Sequence, residues 1–332
     1  MPHSNVGYVT KGKRPLCLGV GAFCICVILL GAGALLSRSW HEDNAENVEW
    51  EKHIVREELL LEDFQGEYDI LFMTDFHVVI QDEADTPQVA ELGAQRAQEF
   101  HNDEGVSAAR QFSDWIDYAN EQEVDAVFLG GDIIDYPSEG CLDFLQEQLQ
   151  RLEMPYLYTP GNHDWTYPWE YMTEVGREEY LPELLPYTDG NVAIHTWETE
   201  DLLAIAVDDS PGQVSHEAMK RYAALLDTDK PVVVMAHVPF LTQSVLARAR
   251  EEWDSGVVIG GGNYGGIYEN EDSERFIELT TAKDSPVELM LTGHVHFYDK
   301  DYIDGDKRIL QLVGDDGYHG NAILLHIAGK NG

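Results

Sequence analysis

The sequence predicts an α/β fold, and three observations carry that expectation. Short, nearly continuous apolar runs recur along the chain, at Asp69–Thr74, Asp125–Leu129, Val232–Ala236 and Val287–Leu291, as expected of strands buried on both faces. Segments with apolar residues at helical spacing lie between them, clearest from Gly105 to Asn120. Several of the strands end abruptly in Asp, Asn or His. In open α/β sheets, ligands bind outside the carboxyl ends of the strands, so these polar ends mark a candidate site.

Composition narrows the possibilities. The chain has 332 residues and a hydrophobic fraction of 44%, enough for a substantial core. Its 61 acidic residues against 21 basic give a formal charge of −40, which repels nucleic-acid backbones and anionic membranes. Duplex nucleic-acid binding is therefore not expected. An anionic substrate would need local positive charge, which bound divalent cations would supply. Cys17, Cys24 and Cys26 lie in one apolar run and Cys141 stands alone, so the body has no internal disulfide. No Cys-x-x-Cys pair exists to build a thiolate zinc site.

Taken in order, residues 1–15 carry Lys11, Lys13 and Arg14 and precede an uncharged run from Leu16 to Leu36. A membrane-spanning helix needs about 20 such residues. Basic residues before the run and acidic ones after it place the N-terminus in the cytoplasm and the body outside it. The expectation is thus a single-pass signal anchor in the cell membrane. The rival reading is a secreted chain after cleavage near Ala32-Gly33-Ala34. Residues 37–52 read as an acidic linker and 53–330 as the one folded domain.

Within that domain, Ile54–Leu61 reads as the first strand, followed by Asp69–Thr74 ending at Asp75-Phe76-His77. Gln81–Asn102 is polar, with a weak alanine pattern. Val106, Ala109, Phe112, Ile116 and Ala119 define an amphipathic helix over Gly105–Asn120. Asp125–Leu129 ends at Gly130-Gly131-Asp132-Ile133-Ile134-Asp135. Leu142, Leu145, Leu149 and Leu152 mark a second helix, and Met154–Thr159 a strand leading to Gly161-Asn162-His163-Asp164, where Pro160 and Gly161 impose a turn. The aromatic, proline-rich stretch Trp165–Pro186 reads as short helices and loops. Its Trp165, Tyr167 and Trp169 fit either a pocket wall or a small satellite core.

Val192–Trp197 and Leu202–Val207 read as strands, Glu217–Leu226 as a helix, and Val232–Ala236 as a strand delivering His237. Gly260–Gly266 reads as a flexible loop, lacking the Lys-Ser/Thr ending of a nucleotide loop. Val287–Leu291 ends at Gly293-His294-Val295-His296, Asp304-Gly305 signals a hairpin, and Asn321–Ile327 is the last strand. Asp208-Asp209 read as turn or supporting groups, and His195, His216 and His319 as histidines without motif support.

Five junctions thus end in metal-type residues: Asp75 with His77, Asp132, Asn162 with His163, His237, and His294 with His296. The Asp-x-His and His-x-His spacings put both members of each pair on one side of an extended strand. Two divalent ions held about 3.5–4 Å apart need a bridging carboxylate and several neutral ligands. Asp132 suits the bridge, and imidazoles with an amide oxygen suit the rest. Ions so held polarise a phosphoryl group and activate water, and a nearby histidine outside the ligand set would protonate the leaving group.

In order and residue type, this series resembles the motif series of the calcineurin-like metallophosphoesterases. The resemblance implies a four-layer α/β/β/α sandwich of two mixed β-sheets flanked by helices. It implies one metal on Asp75, His77, Asp132 and His296, and a second on Asp132, Asn162, His237 and His294. It casts His163 as the proton donor with Asp164 orienting it, and leaves Asp135 as a motif residue outside the ligand set. Asp135 stands where purple acid phosphatases carry a ligand tyrosine. Tyr136-Pro137 and Asp164 depart from the protein serine/threonine phosphatases. The implied activity is hydrolysis of a phosphate monoester or diester, whether small-molecule, lipid or nucleotide. The nitrogen and oxygen donors suit manganese, iron, zinc or cobalt. The alternative is a catalytically silent binding module on the same fold, against which stands the retention of every ligand and of His163.

Overall fold

The computed structural model describes residues 48–170, 172–259 and 270–330, which belong to one compact unit, His41–Gly332. The expected anchor at Leu16–Leu36 and the Gly260–Gly266 loop lie outside the described residues. Among the described residues, no helix is long and apolar enough to cross a membrane.

Among the described residues, eleven strands form two mixed sheets. β1 (His53–Leu61) is parallel to β11 (Asn321–Gly329), which is antiparallel to β2 (Glu67–Met73). β3 (Ala126–Leu129) and β4 (Tyr156–Tyr158) continue parallel to β2. In the second sheet β5 (Ile194–Glu198) is antiparallel to β6 (Leu203–Val207). β7 (Val232–Met235) and β8 (Val287–Thr292) run parallel to β6. The hairpin β9 (Asp299–Ile303) and β10 (Ile309–Val313) closes the edge, with β10 parallel to β8. The hairpin signalled by Asp304-Gly305 is therefore present, with Ile303 opposite Ile309.

The sheets pack face to face because their strands are apolar on both sides. Alternation sends Ile70 and Phe72 of β2 and Ile323, Leu325 and Ile327 of β11 into a shared core. Val233 and Met235 of β7 and Leu289 and Leu291 of β8 meet them there. Val232, Val234 and Met290 point the other way, onto α5 (His216–Leu225) and α7 (Glu271–Thr280) through Met219, Tyr222 and Phe276. On the first sheet Leu71, Met73, Val127 and Leu129 are buried on the face away from this core. The flanking helices on this half are α2 (Ala108–Gln122) and α3 (Glu139–Gln150).

Helix α2 starts later than the periodicity suggests. Gly105 sits at φ +78° and the Ser107 side chain accepts the Arg110 amide, so Val106 is buried before the helix rather than within it. In the Gln81–Asn102 segment, α1 spans Pro87–Arg96 and buries only Gly93. The Trp165–Pro186 stretch holds two 3₁₀ turns and α4 (Glu174–Tyr180). Two helices have no counterpart in the periodicity reading, α6 (Gln243–Trp253) and α7.

Candidate metal centre

The parallel strands β2, β3, β4, β7 and β8 all end at one rim, and the five polar junctions meet there. Their loops are stitched to one another by backbone hydrogen bonds. Asp75 N–H donates to Gly131 C=O (3.0 Å), His77 N–H to Asp132 C=O (2.9 Å) and Gly293 N–H to His237 C=O (2.8 Å).

The residues sit there in a conformation the strand argument does not anticipate. Asp75, His77, Asp132, His294 and His296 all have φ between 50° and 71°. They lie beyond their strands, so the two-residue spacing does not reflect an extended strand face, which corrects that expectation. Left-handed geometry is disfavoured for side chains with a Cβ, and its concentration here is strain held by the surrounding loops. Two glycines make the approach feasible. Gly131 is itself at φ +91°, and a Cβ on Gly161 would lie 2.1 Å from Asp132 Oδ1 and 2.3 Å from the Asp132 nitrogen.

The side chains converge in three overlapping groups whose ligand atoms lie within 4.8 Å of one another. They are Asp75 with His77 and His296, His77 with Asp132 and His163, and Asp132 with His237 and His294. The contacts are close: His296 Nε2 to Asp75 Oδ1 3.4 Å, His77 Nε2 to His296 Nε2 3.1 Å, His237 Nε2 to Asp132 Oδ2 3.2 Å, and His237 Nε2 to His294 Nδ1 3.2 Å. Asp75, His77, Asp132 and His237 are buried.

Surrounding groups set which ring nitrogens face inward. His77 Nδ1 meets Asp135 Oδ1 at 3.0 Å and His237 Nδ1 meets the Gly130 carbonyl at 2.8 Å. A proton on each Nδ1 leaves each Nε2 lone pair directed at the cluster. The two inner carboxylates are held by backbone donors: His163 N–H to Asp132 Oδ1 (2.7 Å), and His294 N–H to the Asp75 oxygens (2.9 and 3.1 Å). Asp209, buried, accepts the His237 and Val238 amides and so fixes the loop after β7.

This arrangement fits metal ions. Asn162 Oδ1 is a buried amide oxygen without a hydrogen-bond partner, at the position implied for a ligand. Inward nitrogens that face each other at 3.1–3.2 Å gain a common partner if a cation takes both lone pairs. Charge agrees. Burial opposes ionisation of Asp132, but the neighbouring imidazoles, His237 foremost, hold its carboxyl well below the usual range. Burial also opposes a proton on His237, yet the Asp132 carboxylate pushes it up to about 10, so positive charge is favoured at that nitrogen. Burial and the charge on His237 take His294 down to about 3, leaving it a neutral donor.

Two motif carboxylates stand differently from what the resemblance implies. Asp164 does not contact the His163 ring. Its buried carboxylate accepts the amides of Asp132 (2.9 Å), Ile134 (3.0 Å) and Gly161 (2.7 Å), tying the loop after β3 to the loop after β4. Asp135 meets the ring instead: His163 Nδ1 donates to its main-chain carbonyl (3.3 Å), with its carboxylate Oδ1 at 3.0 Å. Asp135 also accepts two bonds from Arg96, Nε to Oδ2 and Nη2 to Oδ1, both 2.7 Å. Burial opposes its ionisation, but the Arg96 guanidinium and then the two imidazoles hold it well below the carboxylate range. Burial disfavours charge on His163, while Asp132 and Asp135 outweigh it and push the ring up to about 9.

A cavity of about 580 Å³ opens over the cluster. Asp132, Asn162, His163, His294 and His296 form its floor, Arg96, Phe100 and Tyr318 a wall, and Thr166, Pro168, Glu170, Met172 and Trp253 its lip. Trp165, Tyr167 and Trp169 face away from it. Trp165 bonds Ser210, and Tyr167 and Trp169 pack on Tyr136, so these aromatics form the satellite core. His319 is exposed on an Asp316 pair, and His195 and His216 pair with Asp189 and Asp272 away from the cavity. Arg96 escaped the sequence reading, although it is the one basic residue between Arg56 and Arg110 in an acidic stretch.

A two-sheet sandwich with this donor set at its strand ends is the architecture of a metal-dependent phosphoesterase. The model of the calcineurin-like phosphoesterases matches residues 68–298, and the chain belongs to that family. It is a phosphoester hydrolase. Among solved structures it is similar to a dimetal phosphatase from Danio rerio, at 12% identity and TM-score 0.46 over 76% of this chain and 88% of that one. It is also similar to the phosphopantetheinyl hydrolase from Mycobacterium tuberculosis, at 12% identity and TM-score 0.37 over 75% and 90%. At these values neither structure bears on the substrate. No curated protein matches the chain in sequence.

Proposed function

We propose that the chain hydrolyses phosphate monoesters or diesters at a pair of divalent cations, with His163 as proton donor to the leaving group. The observation that carries this reading is the place of the Asp132 carboxylate between the two proposed ligand sets, its Oδ2 3.8 Å from His77 Nε2 and 3.2 Å from His237 Nε2. Asp75, His77, Asp132 and His296 would hold one ion, and Asp132, Asn162, His237 and His294 the other. Cations bound there supply Lewis-acid polarisation of the phosphoryl oxygens and a water of lowered pKa.

The chain's own residues do the rest. His163 lines the cavity, is partly open to it, and carries the proton that a departing alkoxide requires. The Asp135 main-chain carbonyl accepts from His163 Nδ1 and so directs the other ring nitrogen to the substrate side, while Arg96 keeps the adjacent Asp135 carboxylate ionised and in place. Asp164 and Asp209 hold the ligand-bearing loops at fixed separation.

Hydrolysis of p-nitrophenyl phosphate and its bis-ester, with manganese, zinc, cobalt or iron supplied, tests this reading. Turnover that Asp132→Asn abolishes supports it. Turnover of neither ester with any metal favours the silent binding module. We further propose that Leu16–Leu36 anchors the chain in the membrane, on the strength of its uncharged length and the basic residues before it. Release of the full chain from membranes by alkaline carbonate would sink that.

A further inference from the structure

We propose that the outer half of the cavity receives an uncharged apolar group on the substrate's alcohol, an aryl or alkyl chain, and disfavours a second anionic group. This rests on the proposed hydrolysis of phosphoesters at the floor of the same cavity.

Two observations on the lip carry it. Large apolar side chains that remain exposed are few among the described residues, and two of them, Met172 (49% exposed) and Trp253 (47% exposed), both line this cavity. Pro168 and Val257 line it with them. Exposed apolar groups gathered on one concave surface mark a place where something apolar binds. Trp253 is also fixed in position. Its indole N–H donates to the Val295 carbonyl (2.9 Å), and its ring stands edge-on to His296, with centroids 5.3 Å apart and planes at 89°. An exposed indole held one residue from the reacting centre offers a preformed face, with little ordering cost on binding.

Charge argues against a second anion. Among the described residues, Arg96 is the only lysine or arginine lining the cavity, and it is already committed to carboxylates. Its Nε and Nη2 bond Asp135, and its Nη1 bonds Glu99 (2.9 Å). Glu99 and Glu170 add negative charge to the wall and lip. A nucleoside diphosphate would thus bring its remaining phosphate to a surface with no uncommitted cation.

The test compares ethyl and hexyl phosphate, whose alcohols leave with nearly equal intrinsic difficulty, on the full chain loaded with manganese. Phosphocholine and a nucleoside diphosphate are run beside them. Burying about half of the four added methylenes is worth about tenfold, so kcat/KM for the hexyl ester should exceed that for the ethyl ester by about tenfold or more. In Trp253→Ala the hexyl-to-ethyl ratio should fall at least about fivefold, whatever change the two esters share. Met172→Gln, at an exposed position, should lower it about twofold and gives a second reading if the first variant does not fold.

A hexyl-to-ethyl ratio near one in the unaltered chain overturns the proposal. So does a ratio unchanged in both variants, or a preference for phosphocholine or the diphosphate. Calorimetric titration with hexyl- and ethylphosphonate reads the same contrast without turnover. If no ester is hydrolysed, the catalytic reading fails alone, whereas equal affinity for the two phosphonates overturns the apolar lip.

Discussion

Asp135→Asn is the substitution that most directly probes how this site is built. Asp135 is fully buried and its carboxylate accepts from Arg96 through two bonds of 2.7 Å and from His77 Nδ1 at 3.0 Å, with His163 Nδ1 also 3.0 Å from Oδ1. An asparagine keeps one acceptor oxygen and turns an NH₂ group toward a donor, so at least one of these partners is opposed by a like group. Hydrogen bonds to a charged group contribute about 1.5–3 kcal/mol each. Losing two gives about 3–6 kcal/mol, of which Arg96, with about a quarter of its side chain exposed, recovers part from water. A net destabilisation of about 2–4 kcal/mol is expected, read as a lowered denaturation midpoint at unchanged m-value. Two functional losses should accompany it. Without its carboxylate partner His77 is a weaker, less well oriented ligand, and loss of such an outer partner lowers metal affinity by about 10–100-fold. His163 loses the carboxylate charge that favours its protonated form, and a general acid contributes about 10²–10⁴-fold. At saturating metal, kcat should therefore fall by about 10²–10³. Combining Asp135→Asn with His163→Ala should cost much less than the product of the single losses, because part of the effect of Asp135 passes through His163. A saturated-metal kcat within about threefold of the unaltered chain, or single losses that multiply in the double variant, would refute this account.

Other perturbations give separable outcomes. His163→Ala should lower kcat by about 10²–10⁴ with metal content, measured by elemental mass spectrometry, unchanged; loss of one metal equivalent instead would identify it as a ligand. Gly161→Ala forces a methyl group into Asp132 Oδ1 and the Asp132 nitrogen, so a destabilisation of about 1–3 kcal/mol with weakened metal binding is expected on thermal and metal titration. Metal at about 100 times its dissociation constant should stabilise the chain by about 2.7 kcal/mol, and chelation should reverse this; a denaturation midpoint indifferent to both would argue against a buried cation site. Asp164→Asn should chiefly lower stability, because its partners are three backbone amides, and the residual enzyme at saturating metal should retain far more kcat than Asp135→Asn.

Most of the sheet was legible because its strands are buried on both faces. Asp69–Thr74, Asp125–Leu129, Val232–Ala236 and Val287–Leu291 have few polar residues to confuse the pattern, and each lies within a residue or two of an observed strand. α6 and α7 were not, for the opposite reason. α6 buries only Val245 and Ala249, and the apolar residues of α7, Phe276, Ile277 and Leu279, fall within a single turn, so neither shows a repeat long enough to read as a helix. Their ends are declared by caps rather than by periodicity: the Thr242 side chain accepts the Val245 amide and Asn270 accepts that of Ser273.

The candidate site shows the same division between chemistry and conformation. Which residues gather at the rim could be read from their types, since few side chains offer nitrogen or oxygen lone pairs to a cation. How they are held could not. Asp75, His77, Asp132, His294 and His296 adopt a left-handed backbone that no local preference of Asp or His would impose, and it follows from bonds between loops distant in sequence, such as Asp75 N–H to Gly131 C=O. The division of labour between Asp135 and Asp164 has the same origin. Both are carboxylates of one motif series, and the resemblance assigned only Asp164 to His163. Only the fold decides that Asp164 meets three amides while Asp135 meets Arg96, His77 and His163. Specificity lies further still from the sequence, because the lip is drawn from residues of generic type, Met172 in a loop and Trp253 at a helix end. Their exposure, visible only in the folded chain, is what distinguishes them from core residues.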